Sequence, residues 1–258
     1  INMQVVILAG GYGTRISEES HDKPKPMIEI GERPILWHIM QIYASYGFND
    51  FIVCCGYKGH VIKDYFQRYT LNNSDFEINL KSGNTMIINN PKEDWNITLV
   101  DTGLETMTGG RLKRIKPYLK TEDFHMTYGD GVSDVNLNEL VASHKKNNVK
   151  ASLTAVSPPG RFGAIKINDK NFIESFDEKP IGDGGRINGG FFVLNKSVLD
   201  LIDSDDTVWE KEPLSKLASS GELSAFHHDG FWQPMDTLRD LVHLQSLWDT
   251  DSAPWKCW

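Results

Sequence analysis

Apolar and polar positions alternate along this chain in a way that lays out most of its elements. Residues 4–9 form a nearly unbroken apolar run rich in β-branched side chains, which predicts a buried central strand. Gly10-Gly11-Tyr12-Gly13 ends it in a tight loop. Lys23-Pro24-Lys25-Pro26 follows, and two alternating prolines predict an extended path there. Leu36, Ile39, Met40, Tyr43 and Tyr46 recur at helical spacing and predict a helix over Pro34–Tyr46, with Gly47 at its C-terminal end. Phe51–Cys55 reads as a second buried strand and His60–Tyr69 as a second helix. Strand, loop, helix, strand, helix within the opening quarter implies βα units on a parallel sheet.

The rhythm then changes. Phe76–Lys81 and Thr85–Asn89 flank Ser82-Gly83-Asn84 as a hairpin, and Ala164–Asn168 and Phe172–Phe176 flank Asp169-Lys170-Asn171 as another. Trp95–Val100, Phe124–Tyr128, Ala151–Val156 and Ile187–Leu194 read as strands. Leu137–His144 and Val198–Ile202 read as helices, as does Leu238–Trp248, capped by Asp236 or Thr237. No internal repeat or linker interrupts residues 1–258. The expected fold is therefore a single α/β domain: a Rossmann-like, mixed but mostly parallel sheet flanked by helices, with added β-hairpins.

Bulk properties narrow the class. A chain of 258 residues, 40% hydrophobic, supports a sizeable core. Its net charge of −8 makes a poor non-specific nucleic-acid binder, yet leaves room for a locally basic pocket. Three cysteines, Cys54, Cys55 and Cys257, without Cys-x-x-Cys spacing, argue against a disulfide scaffold or a zinc site and fit a reducing, cytoplasmic setting. No apolar stretch approaches the ~18 residues of a membrane span, and the first residues lack the pattern of a signal peptide.

The glycine loop carries the first chemical signal. Glycines directly after a buried strand can turn backbone N–H groups toward an anion, and Arg15 adds a fixed cationic fork. The dinucleotide fingerprint fails, because Ile16 stands where its third glycine belongs; the Gly-Lys-Ser/Thr of the Walker loop is absent. By itself the cluster could be a plain strand-end turn.

Leu-Ala-Gly-Gly-x-Gly-Thr-Arg at 8–15, followed by Lys-Pro-Lys-Pro-Met at 23–27, resembles the opening of the sugar nucleotidyltransferases. Cys-Gly-Tyr-Lys-Gly at 55–59, Thr-Gly-Gly-Arg-Leu-Lys-Arg at 108–114, Pro-Pro-Gly-Arg-Phe-Gly-Ala at 158–164 and Gly-Phe-Trp-Gln-Pro-Met-Asp-Thr at 230–237 resemble the branch that transfers a cytidylyl group to glucose 1-phosphate. The resemblance covers essentially the whole chain. It implies CTP and glucose 1-phosphate as substrates, Mg²⁺ as cofactor and a homo-oligomer. It also implies a nucleotide-binding half of about residues 1–130 and a sugar-phosphate-binding half of about 131–258.

Carried over residue by residue, the resemblance places the nucleotide against Leu8, Ala9, Gly10, Gly11, Gly13, Thr14, Arg15, Lys25, Gly110, Arg111, Gly129 and Asp130. It places the sugar phosphate against Gly163, Glu178, Lys179 and Asn188, and the metal on Asp130 and Asp236. Arg15, Lys25 and Lys179 are the catalytic candidates.

Each residue also has a plainer reading. Lys25 could be a solvated loop lysine, although two prolines pin its backbone. Asp130 could serve an Asx-turn and Asp236 a helix cap. Glu178-Lys179 could be a surface ion pair, and Arg111–Arg114 a basic surface run in which Lys113 and Arg114 are left to solvent. Asp203-x-Asp205 reads as chance in an acidic loop, His227-His228 has no partner at metal spacing, and the exposed-looking Trp248, Trp255 and Trp258 fit either subunit contacts or core.

The expected reaction is in-line attack of a sugar-phosphate oxygen on the α-phosphorus, with pyrophosphate leaving. A phosphate monoester has a second pKa of about 6, so the nucleophile is already ionised and no general base is needed. The rival readings are a thymidylyl- or uridylyltransferase, a glycosyltransferase that releases a nucleoside diphosphate, and a non-catalytic sugar-nucleotide sensor.

Overall fold

In a computed structural model, residues 2–158, 164–177 and 185–258 are described. Seven strands make the main sheet: β1 (Val5–Leu8), β2 (Asp50–Cys55), β3 (Asn96–Asp101), β4 (Asp123–Tyr128), β5 (Ala151–Val156), β6 (Ile187–Asn195) and β7 (Leu223–His228). Their order is β7-β5-β6-β4-β1-β2-β3. β1 pairs in parallel with β2 and β4, β2 with β3, and β5 with β7; β6 alone runs against its neighbours β5 and β4. The mixed, mostly parallel sheet expected from the sequence is present.

Six helices position the site: α1 (Ile35–Ser45), α2 (Gly59–Gln67), α3 (Thr108–Arg114), α4 (Leu137–Asn147), α5 (Glu212–Ser219) and α6 (Leu238–Asp249). Period-two alternation divides β1 between two cores. Val5 and Ile7 join the cluster under α1 and α6, whereas Val6 and Leu8 join the cluster that includes Leu112 of α3 and Leu217 of α5. The continuous apolar run in the sequence is the signature of a strand covered on both faces.

Burial on α1 extends beyond the one apolar face expected. Ile35 to Met40 are all buried, because the C-terminal segment covers the outer side. Of the two readings open for the tail tryptophans, Trp255 takes the core one and is fully buried. Its indole N–H donates to His38 Nδ1 at 3.3 Å, and His38 Nε2 lies 2.7 Å from the Ile30 carbonyl, so Nε2 carries the proton. Burial holds the neutral imidazole and lowers its pKa to about 4. Trp37, Trp95, Trp248 and Trp258 complete an aromatic cluster around this histidine.

Both expected hairpins form, Phe76–Ile78 with Thr85–Ile87 and Ala164–Ile167 with Ile173–Asp177. The first is open to solvent, with Leu80 88% and Met86 61% exposed. A short antiparallel pair, Gly131–Ser133 with Trp232–Pro234, was not legible in the sequence; it brings the last third of the chain to the ends of β4 and β1.

Candidate active site

A cleft of about 560 Å³ opens where β1 and β4 end. The carboxyl edge of a parallel sheet is where α/β folds gather ligands. The cleft is lined by Leu8, Ala9, Gly10, Gly11 and Gly13 from the first loop, by Lys25, and by Gly129 and Asp130 after β4. Arg111 of α3 and Asp236 line it from other directions. A smaller cavity of about 70 Å³ adjoins it, lined by Asn188 and sharing Tyr128, Asp130, Trp232 and Pro234.

Thr14 and Gly110 do not line the cleft. Arg15 is 77% exposed at its rim, with Nη1 4.0 Å from Asp236 Oδ2. Gly163, Glu178 and Lys179 lie outside the described residues.

The glycine loop is built for close approach. Gly13 sits at φ +64°, where a side chain is strained, and a Cβ there would come within 3.1 Å of Lys25 Cβ. Among the described residues, the N–H groups of Gly11, Tyr12 and Gly13 meet no acceptor within the chain. Open amides at a sheet edge form an anion-binding concavity.

Lys25 occupies a single 3-10 turn, Lys25–Met27, in place of the extended path expected. Pro24 stays extended and Pro26 falls in the first turn, where a missing N–H costs nothing. The turn aims Lys25 inward. Its Nζ donates to Asp130 Oδ2 and to Asp236 Oδ1, each at 2.7 Å. Burial pulls the ammonium's pKa down, but the two carboxylates outweigh it and hold the group above the ordinary lysine range.

Asp236 is not the helix cap. Thr237 caps α6, accepting from the Asp240 N–H, and Asp240 Oδ2 accepts in return from the N–H groups of Asp236 and Thr237. That reciprocal box leaves the Asp236 carboxylate free to face the cleft. Asp130 and Asp236 thus converge on one cation. Two hard oxygen donors beside a phosphate-sized cleft fit a divalent ion that completes its shell with phosphate and water.

Arg111 lines the cleft from α3 and is 5% exposed. Its Nη1 donates to Thr102 Oγ1 at 2.8 Å and the Gly103 carbonyl at 2.7 Å, and its Nη2 donates to the carbonyls of Gly10 and Leu104 at 3.2 and 3.3 Å. One guanidinium thereby ties the glycine loop to the 102–104 loop. A Cβ on Gly10 would fall 2.2 Å from Nη1, so the glycine is what admits the arginine.

Segment 203–210 has a structural task that the sequence did not show. Lys113 and Arg114 are exposed, as expected, and both reach across to it: Arg114 makes two hydrogen bonds to Asp205, at 3.0 and 2.6 Å, and Lys113 donates to the Asp203 carbonyl. The acidic run buttresses α3. The carbonyls of Asp205 and Thr207 accept from the N–H groups of Met107, Gly109 and Gly110, which a helix start otherwise leaves unpaired. Gly110 is a packing residue in this arrangement, since its Cβ would meet Asp205 O at 2.6 Å.

Tyr128, Trp232, Glu105 and Tyr12 also wall the cleft. Sequence reasoning did not single them out as site residues, although Trp232 stands inside the quoted 230–237 motif. Tyr12 donates its hydroxyl to Glu105 across the cleft mouth, and Trp232 Nε1 donates to the Gly189 carbonyl at 2.7 Å.

The comparisons with known proteins agree with this geometry. The family model described as nucleotidyl transferase matches residues 4–251. Glucose-1-phosphate cytidylyltransferase of Salmonella typhimurium is 58% identical over 99% of this chain and all of its own length. A probable glucose-1-phosphate cytidylyltransferase of Bacillus subtilis is 42% identical over the same shares. Among solved structures, HddC from Yersinia pseudotuberculosis superposes with a TM-score of 0.70 at 23% identity, over 96% of this chain and all of that one. The matching family model and full-length relatives leave one assignment: the chain belongs to the nucleotidyl transferase family.

Proposed function

We propose that this protein transfers the cytidylyl group of CTP to α-D-glucose 1-phosphate, giving CDP-glucose and pyrophosphate. The carrying observation is the convergence of open loop amides, Lys25, Asp130 and Asp236 on one cleft. The full-length 58% identity to the Salmonella typhimurium cytidylyltransferase supports CTP and glucose 1-phosphate as the pair.

The site's task is to bring two anions together and hold them in line. Gly11 and Gly13 supply amides for the triphosphate, and Arg15 favours the departing pyrophosphate from the rim. Lys25 stands beside the carboxylates to neutralise charge at the α-phosphate. Arg111 holds the base wall in place. Asn188 lines the smaller cavity, where its Oδ1 accepts from Gly190 N–H at 2.8 Å, and is placed for the sugar. Asp130 and Asp236 would hold Mg²⁺, which supplies charge compensation for the phosphates when bound.

Free Cys54, Cys55 and Cys257 support a cytoplasmic location, and the exposed apolar hairpin at 76–87 supports a homo-oligomer. Pyrophosphate release measured with four nucleoside triphosphates against a panel of sugar 1-phosphates, with Mg²⁺, tests the reading. Fastest turnover with UTP or dTTP would replace the base assignment, and release of a nucleoside diphosphate would replace the reaction.

A further inference from the structure

The two walls of the cleft meet behind it on one carboxylate. Tyr128, at the end of β4, donates its hydroxyl to Glu210 Oε1 at 2.6 Å. Thr108, in the first turn of α3, donates its hydroxyl to Glu210 Oε2 at 2.6 Å. Thr108 Oγ1 also accepts the Trp209 N–H at 2.9 Å, which fixes the direction in which its own proton points. Thr108 and Tyr128 both line the cleft, whereas Glu210 does not.

Helix capping does not account for this carboxylate. The first amides of α3 already find the carbonyls of Asp205 and Thr207. Glu210 reaches past them to the opposite wall. An ionised carboxylate accepts two charge-assisted hydrogen bonds, one on each oxygen, and these are roughly twice as strong as neutral ones.

What the bridge holds is chemically consequential. Tyr128 is followed directly by Gly129 and Asp130. Its ring lines both cavities and packs so closely on Gly190 that a Cβ there would come within 2.7 Å of it. Thr108 belongs to the helix whose Arg111 organises the base side.

We infer that Glu210 is a positioning residue for nucleotidyl transfer: its carboxylate locks the α3 wall to the Tyr128–Asp130 strand end, so that seating of the nucleotide and alignment of the phosphates are set together. The inference rests on the transfer reaction proposed above. A displacement near 1 Å can cost about 100-fold in rate when reacting groups must stay aligned.

The test is a mutant cycle in pyrophosphate release, run on the nucleotide and sugar-phosphate pair that the wild type turns over. A wrong substrate assignment then shows in the wild type, and a wrong role for Glu210 shows only in the variants. Glu210→Ala is expected to lower kcat/KM by about 10- to 100-fold, with part of the loss in kcat. Glu210→Gln, which keeps one acceptor and the length, should recover part of it. Thr108→Val and Tyr128→Phe each cut one arm of the same bridge, so their double variant should be within about 3-fold of the worse single one. Losses that multiply, or a Glu210→Ala enzyme with a lowered Tm but wild-type kcat and KM per folded molecule, would overturn the inference. Should Glu210→Ala not fold, the Thr108 and Tyr128 cycle decides alone.

Discussion

Replacing Lys25 by methionine removes the cation that bridges Asp130 and Asp236 while keeping most of the side-chain volume. Each carboxylate oxygen lies 2.7 Å from Nζ, so the two oxygens can be no farther apart than twice that distance. Two unit charges at that separation repel by roughly 3 kcal/mol at an effective dielectric of about 20. The carboxylates are 29% and 25% exposed, and solvent screening reduces the figure to about 2 kcal/mol. For a chain of this length that corresponds to a fall in Tm of roughly 4–8 °C at neutral pH.

The pH dependence has a definite sign. Without the lysine the two carboxylates repel each other only when both are charged. The variant's deficit should therefore be smallest in acid and grow toward neutral pH. Mg²⁺ should raise the variant's Tm more than the wild type's, because the ion compensates the same two charges. Turnover should fall by about 10²–10³, by analogy with the loss of one preorganised electrostatic donor. Thermal unfolding from pH 4 to 8, with and without Mg²⁺, and pyrophosphate release are the assays. Equal Tm values for variant and wild type at pH 7 without metal would refute the reasoning, as would a deficit independent of pH.

Further outcomes are expected elsewhere. Asp236→Asn should shift the Mg²⁺ dependence of turnover to higher concentration, and superimposable metal titrations would remove it as a ligand. Arg111→Lys leaves several carbonyls without donors, at about 1–3 kcal/mol for each buried group; a raised KM for CTP and a lower Tm should appear together in kinetics and calorimetry. Gly110→Ala presses a methyl on the Asp205 carbonyl and should cost about 1–3 kcal/mol in denaturant unfolding. His38, held neutral with a pKa of about 4, contributes stability that is complete above about pH 6.5 and lost as pH falls toward 4. His38→Gln should flatten that limb of the Tm profile, and an unchanged slope would assign it to other groups.

The central strands were legible because they are buried on both faces and therefore read as apolar runs, whereas the half-exposed edge strand β7 carries no such run and was missed. The cleft's first wall was legible for a related reason: Gly10 to Gly13 and Pro24 to Pro26 restrict the backbone, and backbone restriction leaves a mark in residue type. Asp130 and Asp236 were visible as carboxylates next to such marks, but their meeting on Lys25 depends on contacts between residues more than a hundred positions apart. The short 3-10 turn at Lys25 was missed because a proline in the first turn of a helix looks, in sequence, like one that forbids it. Helix α3 escaped notice for want of apolar periodicity in Thr-Gly-Gly-Arg-Leu-Lys-Arg; its two glycines answer to the carbonyls of Asp205 and Thr207 rather than to helix propensity. The acidic run at 203–210 gave no sign of its task, since a buttress is defined by what it leans on.

The distribution of the seven tryptophans has an optical consequence. Five of them, Trp37, Trp95, Trp248, Trp255 and Trp258, lie together around His38, close enough to exchange excitation energy among themselves, while Trp232 stands on the cleft side of the same core, its neighbour Phe231 stacked on Trp255 at 5.7 Å. Emission from the cluster reports whether the C-terminal segment is in place on α1. Trp232, with its indole bound to Gly189 between the two cavities, reports occupancy of the site. A Trp232→Phe substitution should therefore remove the ligand-dependent part of the emission while leaving the response to unfolding.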